Sequence, residues 1–102
     1  MTLLAASIAS WYGFECASQP MANGKPFHPY ALTAASWFYP LGTVVQVSHN
    51  GRSVRVTITD RGPAKRLVRQ GRVIDLSLGA FSRLSHPDTG LITVTLHPKP
   101  NQ

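Results

Sequence analysis

Residues 54–63 read VRVTITDRGP, and few stretches limit a chain's folding choices so tightly. Val54, Val56 and Ile58 fall on one face and Arg55, Thr57 and Thr59 on the other, the period of two expected of a half-buried β-strand. The run then stops at Asp60-Arg61-Gly62-Pro63, where an acid bonds its own turn, a glycine bends freely and a proline offers no ladder N–H. An acid is thereby set at the mouth of a strand beside an arginine, a position where rigid scaffolds present chemistry. A shorter echo at residues 73–77, VIDLS, places Asp75 fifteen residues after Asp60.

The rest of the chain is organised around these stretches. Residues 3–12, LLAASIASWY, are small and apolar, and residues 9–13 read as a first strand running into a turn. Residues 14–29 hold Gln19-Pro20, Asn23-Gly24 and two further prolines, which forbid a long regular element and predict a structured loop. Residues 30–36, YALTAAS, fit a short strand or a helical turn equally. A Pro40-Leu41-Gly42 turn precedes the β-branched run TVVQV at 43–47, and Asn50-Gly51 between two strand-like runs predicts a hairpin over residues 43–59. Residues 64–72 are basic and irregular. Ser77 is placed to cap a helix over residues 78–84, with Leu78 and Phe81 on one face and Leu84 at its edge. A turn at 86–90 leads into the alternating run LITVTL, and the tail from Pro98 reads as loose.

At 102 residues and 43% hydrophobic content, residues 1–102 suit one domain with its own core. Five or six short strands and one short helix, Leu78 to Leu84, predict a small mainly β closed barrel, since no helical stretch can supply repeated crossovers. Its core is expected from Val54, Val56, Ile58, Ile74, Leu76, Ile92, Val94 and Leu96. The formal charge is +6, and Arg61, Lys65, Arg66, Arg69 and Arg72 put half of the ten Lys and Arg into twelve positions, a surface suited to a polyanion. Cys16 is alone, so it forms no intrachain disulfide. Residues 1–9 lack the basic start and the length of a signal peptide, and no stretch reaches the roughly 20 apolar residues of a membrane span.

Seven motifs then carry a resemblance: Ala9-Ser10-Trp11-Tyr12-Gly13, Ala22-Asn23-Gly24, Leu32-Thr33-Ala34-Ala35, Pro40-Leu41-Gly42-Thr43, Gly51-Arg52-Ser53-Val54, Thr59-Asp60-Arg61-Gly62-Pro63 and Ile74-Asp75-Leu76-Ser77. In this order and spacing, from about Ala9 to about Leu96, the chain resembles the rare lipoprotein A family, whose domain is a six-stranded double-psi β-barrel shared with expansins and family-45 endoglucanases. The resemblance implies an extracytoplasmic protein of the periplasm or cell envelope, or a virion component if phage-encoded, acting on peptidoglycan glycan strands as a lytic transglycosylase. Asp60 and Asp75 match the family's two acids. The family places Glu directly after Asn-Gly and His directly after Leu-Thr-Ala-Ala, and this chain has Lys25 and Ser36 there.

Transglycosylation asks for less than hydrolysis: the sugar's own C6 hydroxyl attacks the anomeric carbon, so one acid-base carboxylate suffices where hydrolysis ordinarily takes two. Asp60 suits that task if burial raises its pKa. The competing reading is that Asp60 only closes its turn and Asp75 only faces free helix N–H groups. Asp60, Asp75, Thr33 and Arg61 are expected on one face, with the two carboxylates within roughly 10 Å. Trp11, Tyr12, Trp37 and Tyr39 can stack on sugars, while Ser36, Arg61 and Lys25 stand at groove positions. His28, His49, His86 and His97 lack metal-ligand spacing, so neither a metal nor a cofactor is expected. A wall-binding module without catalysis is the alternative, favoured by Lys25 and Ser36. A nucleic-acid partner is not expected, since it rests on charge with no recognition motif.

Overall fold

Asn50 and Gly51 both take positive φ, 47° and 78°, the backbone of a two-residue hairpin turn whose twist matches the flanking strands. His49 and Arg52 face each other across it, so the ladder between β3 (Val44–His49) and β4 (Arg52–Asp60) starts in register. The computed structural model describes residues 4–99, with side chains from Ser7 onward; the apolar start at residues 1–3 and the end of the tail at 100–102 lie outside the described residues.

Four further strands join this hairpin: β1 (Leu4–Tyr12), β2 (Thr33–Ala35), β5 (Arg72–Ser77) and β6 (Ile92–Pro98). Their order around the closed barrel is β1-β5-β2-β4-β3-β6, with β1/β5 and β2/β4 parallel and the other pairings antiparallel. Closure leaves no exposed sheet edge. The undecided stretch at residues 30–36 thus contains a strand, because Ala34 pairs with Leu76 on one side and Ile58 on the other. The tail also begins later than expected: Pro98 pairs with Val45, and the Lys99 N–H donates to the Val44 carbonyl.

Every residue of the expected core is at most 5% exposed, and Val45 and Val47 of β3 join it fully buried. Ala9 and Ala34 supply small side chains from β1 and β2, so large and small residues alternate around the interior. The expected helix forms at α2 (Leu78–Ser82), and the Ser77 hydroxyl caps it by accepting from the Ala80 N–H. It ends two residues early because the Arg83 and Leu84 N–H groups bond three residues back, tightening the last turn. Phe81 and Leu84 are buried against the barrel core.

A second helix was not expected. The basic stretch forms one turn, α1 (Lys65–Val68), resting on half-buried Leu67 and Val68. Four residues contain no period that a sequence reading can detect. The long loop holds a single 3-10 turn at Phe14–Cys16 and a bridge between Pro20 and Pro26. It closes onto α2 through the Gly79 N–H, which donates to the Pro29 carbonyl. A Cβ at position 79 would stand 2.5 Å from the Tyr30 carbonyl oxygen, so only glycine permits this approach.

Candidate active site

The site is built on one row of residues across four adjacent strands. Ser10 of β1 faces Asp75 of β5, Asp75 faces Ala35 of β2, and Ala35 faces Asp60 of β4. The two acids flank the same alanine, so at about 4.8 Å per strand spacing their backbones lie about 10 Å apart on one face of the sheet. The methyl of Ala35 leaves the space between them open.

Alternation alone does not bring Asp60 to this face. It would send Asp60 inward after Val56 and Ile58, whereas Asp75 lies outward between buried Ile74 and Leu76. The register between β2 and β4 shifts at Ala34/Ala35, so that Ala34 faces Ile58 and Ala35 faces Asp60, with Thr59 as the extra residue. This bulge re-aims the acid to the outer face. The long loop covers that face and encloses a cavity of about 330 Å³ lined by Tyr12, Cys16, Met21, Phe27, Ala35, Asp60, Arg61 and Asp75, among others.

The two carboxyls are held differently. Asp60 Oδ1 accepts from the backbone N–H groups of Ala22 and Arg61 at 2.9 and 2.8 Å, which fixes its orientation. Asp75 Oδ1 accepts from the Ser10 hydroxyl at 3.1 Å. Burial pushes the Asp75 carboxyl up from 3.8 to about 6, and the charges of Glu15 and Asp60 add to the rise against the opposing pull of the Ser10 hydrogen bond and Arg72. Asp75 therefore holds a proton within reach of neutral pH, as a general acid requires.

Other expected site residues divide among several places. Tyr12 lines the cavity, but its ring stacks on Phe27 at 4.3 Å, so that face is taken and no sugar can use it. Its hydroxyl is buried without a hydrogen-bond partner, and burial beside Asp60 and Asp75 pushes its pKa up, keeping it a donor. Trp11 faces away from the acids: it packs on Phe81 with ring centroids 6.3 Å apart and donates its indole N–H to the Pro87 carbonyl. Ser36 is fully buried and accepts from the Phe38 N–H, so it shapes the β2–β3 loop. Arg61 lines the cavity, yet its Nη1 donates to the Ser36 and Tyr39 carbonyls, and it forms no ion pair among the described residues. Tyr39 is 1% exposed and Trp37 is 43% exposed, with its indole N–H donating to the Pro63 carbonyl.

Thr33 and Lys25 line a second cavity of about 630 Å³ on the same outer face. Thr33 lies two residues before Ala35 on β2 and faces Thr57, so the two cavities follow one another along the strand and share Met21. A further cavity of about 620 Å³ runs between the β3–β4 turn and β6, with His49 as its one titratable lining residue. Volume by itself does not mark the site. Among the described residues no group of three or more His, Cys, Asp or Glu is placed to hold a metal ion, and no helix is long and apolar enough to cross a membrane.

Sequence reasoning missed Ser10, Ala35 and Cys16. The period-two spacing of Ser10 and Tyr12 was a usable signal once β1 and β5 are paired. Ala35 stands in the Leu32-Thr33-Ala34-Ala35 motif but has no functional group to single it out, and the lone Cys16 belongs to no motif. Burial raises the Cys16 thiol pKa, with Glu15, Asp75 and Asp60 adding to it.

Comparison with known proteins bears on the family and the fold. The profile of a family described as lytic transglycolase matches residues 4–96. The endolytic peptidoglycan transglycosylase RlpA of Pseudomonas aeruginosa is 42% identical over 88 residues, covering 84% of this chain and 25% of that protein. Its namesake in Campylobacter jejuni is 38% identical over 91 residues, covering 87% of this chain and 32% of that protein. The chain thus spans about a quarter to a third of the length of these relatives. Among solved structures, the Streptomyces papain inhibitor superposes with a TM-score of 0.74 at 25% identity, covering 97% of this chain and 96% of that one. A Clavibacter michiganensis expansin in complex with cellohexaose superposes with a TM-score of 0.71 at 17% identity, covering 99% and 52%, a likeness of fold. The profile match and these identities establish the kinship that the seven motifs implied: the chain belongs to the lytic transglycolase family of rare lipoprotein A-like double-psi β-barrels.

Proposed function

We propose that residues 1–102 act as one domain that cleaves peptidoglycan glycan strands by lytic transglycosylation in the cell envelope. The observation that carries this reading is the pair Asp75 and Asp60 on either side of Ala35, with Asp75 raised to about 6 by burial. The names of the relatives, endolytic peptidoglycan transglycosylases, support the substrate.

In this mechanism the Asp75 carboxyl gives its proton to the glycosidic oxygen as the bond from the anomeric carbon breaks, and the departing strand leaves with that proton. Positive charge growing on the sugar faces the Asp60 carboxylate, which the Ala22 and Arg61 N–H groups hold in place. The Asp75 carboxylate then takes the proton of the sugar's C6 hydroxyl while that oxygen bonds to the anomeric carbon. The product is a 1,6-anhydro end, no water is consumed, and the acid is restored. The role that the sequence assigned to Asp60 thus passes to Asp75, with Asp60 as the electrostatic partner.

Binding is served by α1 and the residue that follows it, where Lys65, Arg66 and Arg69 are exposed and form no ion pair among the described residues. Lys65 Nζ sits 4.8 Å over the Trp37 ring, which ties the strip to the β2–β3 loop. Such contacts weaken with salt as the Debye length falls to about 8 Å. A second reading, a wall-binding module without catalysis, is favoured by buried Ser36 and by Lys25 at the positions where the family has His and Glu. Digestion of purified sacculi with mass-spectrometric analysis of the soluble products separates the two. Anhydro-ended fragments that disappear with Asp75→Asn support cleavage; co-sedimentation with sacculi and no such fragments leaves the binding module.

A further inference from the structure

The second cavity along β2 is lined by one cation, the exposed Lys25, and by no acid. Residues 20–26 form a tight loop closed by the Pro20–Pro26 bridge and by bonds from the Met21 N–H to the Lys25 carbonyl, the Gly24 N–H to the Met21 carbonyl and the Lys25 N–H to Asn23 Oδ1. The loop is anchored on β4 by the Asn23 N–H, which donates to the Thr59 carbonyl at 3.2 Å, and by the Ala22 N–H on Asp60. Lys25 is therefore carried on a fixed support over the cavity that Thr33, Thr57 and Thr59 line. No acid lines that cavity, and Lys25 forms no ion pair among the described residues. Thr33 Oγ1 lies there buried without a partner, a polar group whose desolvation nothing offsets.

We propose that this cavity binds a carboxylate of the glycan strand through the Lys25 ammonium, one compartment along the groove from the bond that faces Asp60 and Asp75. The inference rests on the glycan reading above and deepens it. Met21 borders both cavities, so a polymer lying along β2 and β4 occupies them in succession. A single lysine suits a single negative charge. Peptidoglycan offers that charge from two sources, the lactyl group of muramic acid where the stem peptide has been removed and the peptide's own carboxylates where it has not. A neutral glycan of N-acetylglucosamine offers neither.

The test is calorimetric binding in the Asp75→Asn background, which keeps strands intact, with three probes: N-acetylchitohexaose, glycan strands stripped of their stems by an amidase, and stem-bearing strands. Lys25→Met is expected to weaken one of the two carboxylated strands about twofold to fivefold, as for an exposed ion pair, while binding of the neutral hexamer stays unchanged and Lys25→Arg restores the loss. A loss confined to stripped strands assigns the lactyl carboxylate, and one confined to stem-bearing strands assigns the peptide. Lys25→Met binding all three probes as its parent does, or losing the neutral hexamer equally, overturns the subsite. A parent that binds none of the three overturns the glycan reading itself.

Discussion

Replacing Asp75 with asparagine should make this protein more stable at neutral pH and leave its stability in acid unchanged. The carboxyl is raised from 3.8 to about 6 when folded, chiefly by burial. Between those two values the folded chain binds a proton that the unfolded chain has released, so stability falls as pH rises through this window and is flat above it. At about 1.4 kcal/mol per pH unit the rise corresponds to about 3 kcal/mol, and solvent screening of the half-buried carboxyl lowers this to about 2 kcal/mol. Asparagine has no charge to bury, and its Oδ1 can still accept from the Ser10 hydroxyl, the bond Asp75 makes at 3.1 Å. Urea unfolding of both proteins, followed by fluorescence of the two tryptophans from pH 3.5 to 7.5, isolates the effect, because every other titrating group is common to both. The stability difference should be near zero at pH 3.5 and climb to about 2 kcal/mol in favour of the variant by pH 7. A difference that does not change with pH, or a variant less stable than its parent at pH 7, would refute the claim that Asp75 is held against its own ionisation.

Cleavage should follow the same group: release of anhydro-ended fragments should fall about tenfold per pH unit above about 6, as Asp75 loses its proton. A rate that keeps rising to pH 8 would exclude Asp75 as the acid. Gly79→Ala sets a methyl 2.5 Å from the Tyr30 carbonyl oxygen, a backbone atom that cannot step aside alone. It should cost about 2 to 3 kcal/mol in chemical denaturation, and a loss under about 0.5 kcal/mol would show that the loop gives way freely. Arg61→Met leaves the Ser36 and Tyr39 carbonyls without their charged donor and should cost about 2 to 3 kcal/mol of stability. If sacculus binding instead falls sharply while stability holds, Arg61 acts on the substrate and not on the loop.

What the sequence determined by itself is whatever depends on neighbours a few residues apart. Alternation from Val54 to Ile58 and from Ile92 to Leu96 put the right side chains inside, Asn50-Gly51 made its turn, and Ser77 capped its helix. The family motifs marked both acids. Which groups share a site was decided only by the tertiary structure, because that depends on strand register over long separations. Asp60 escapes the inward series through a one-residue bulge at Thr59 that no periodicity announces. Ala35 becomes the centre of the site only because β2 lies between β4 and β5. Alternation along β1 sets Trp11 on the opposite face from Tyr12, and the folded chain brings Phe81 against it there, away from the acids. Burial is likewise a property of the assembled fold: Asp60 stands in the more conspicuous motif, but Asp75 is the acid that the covered sheet and its neighbours equip to hold a proton near neutral pH.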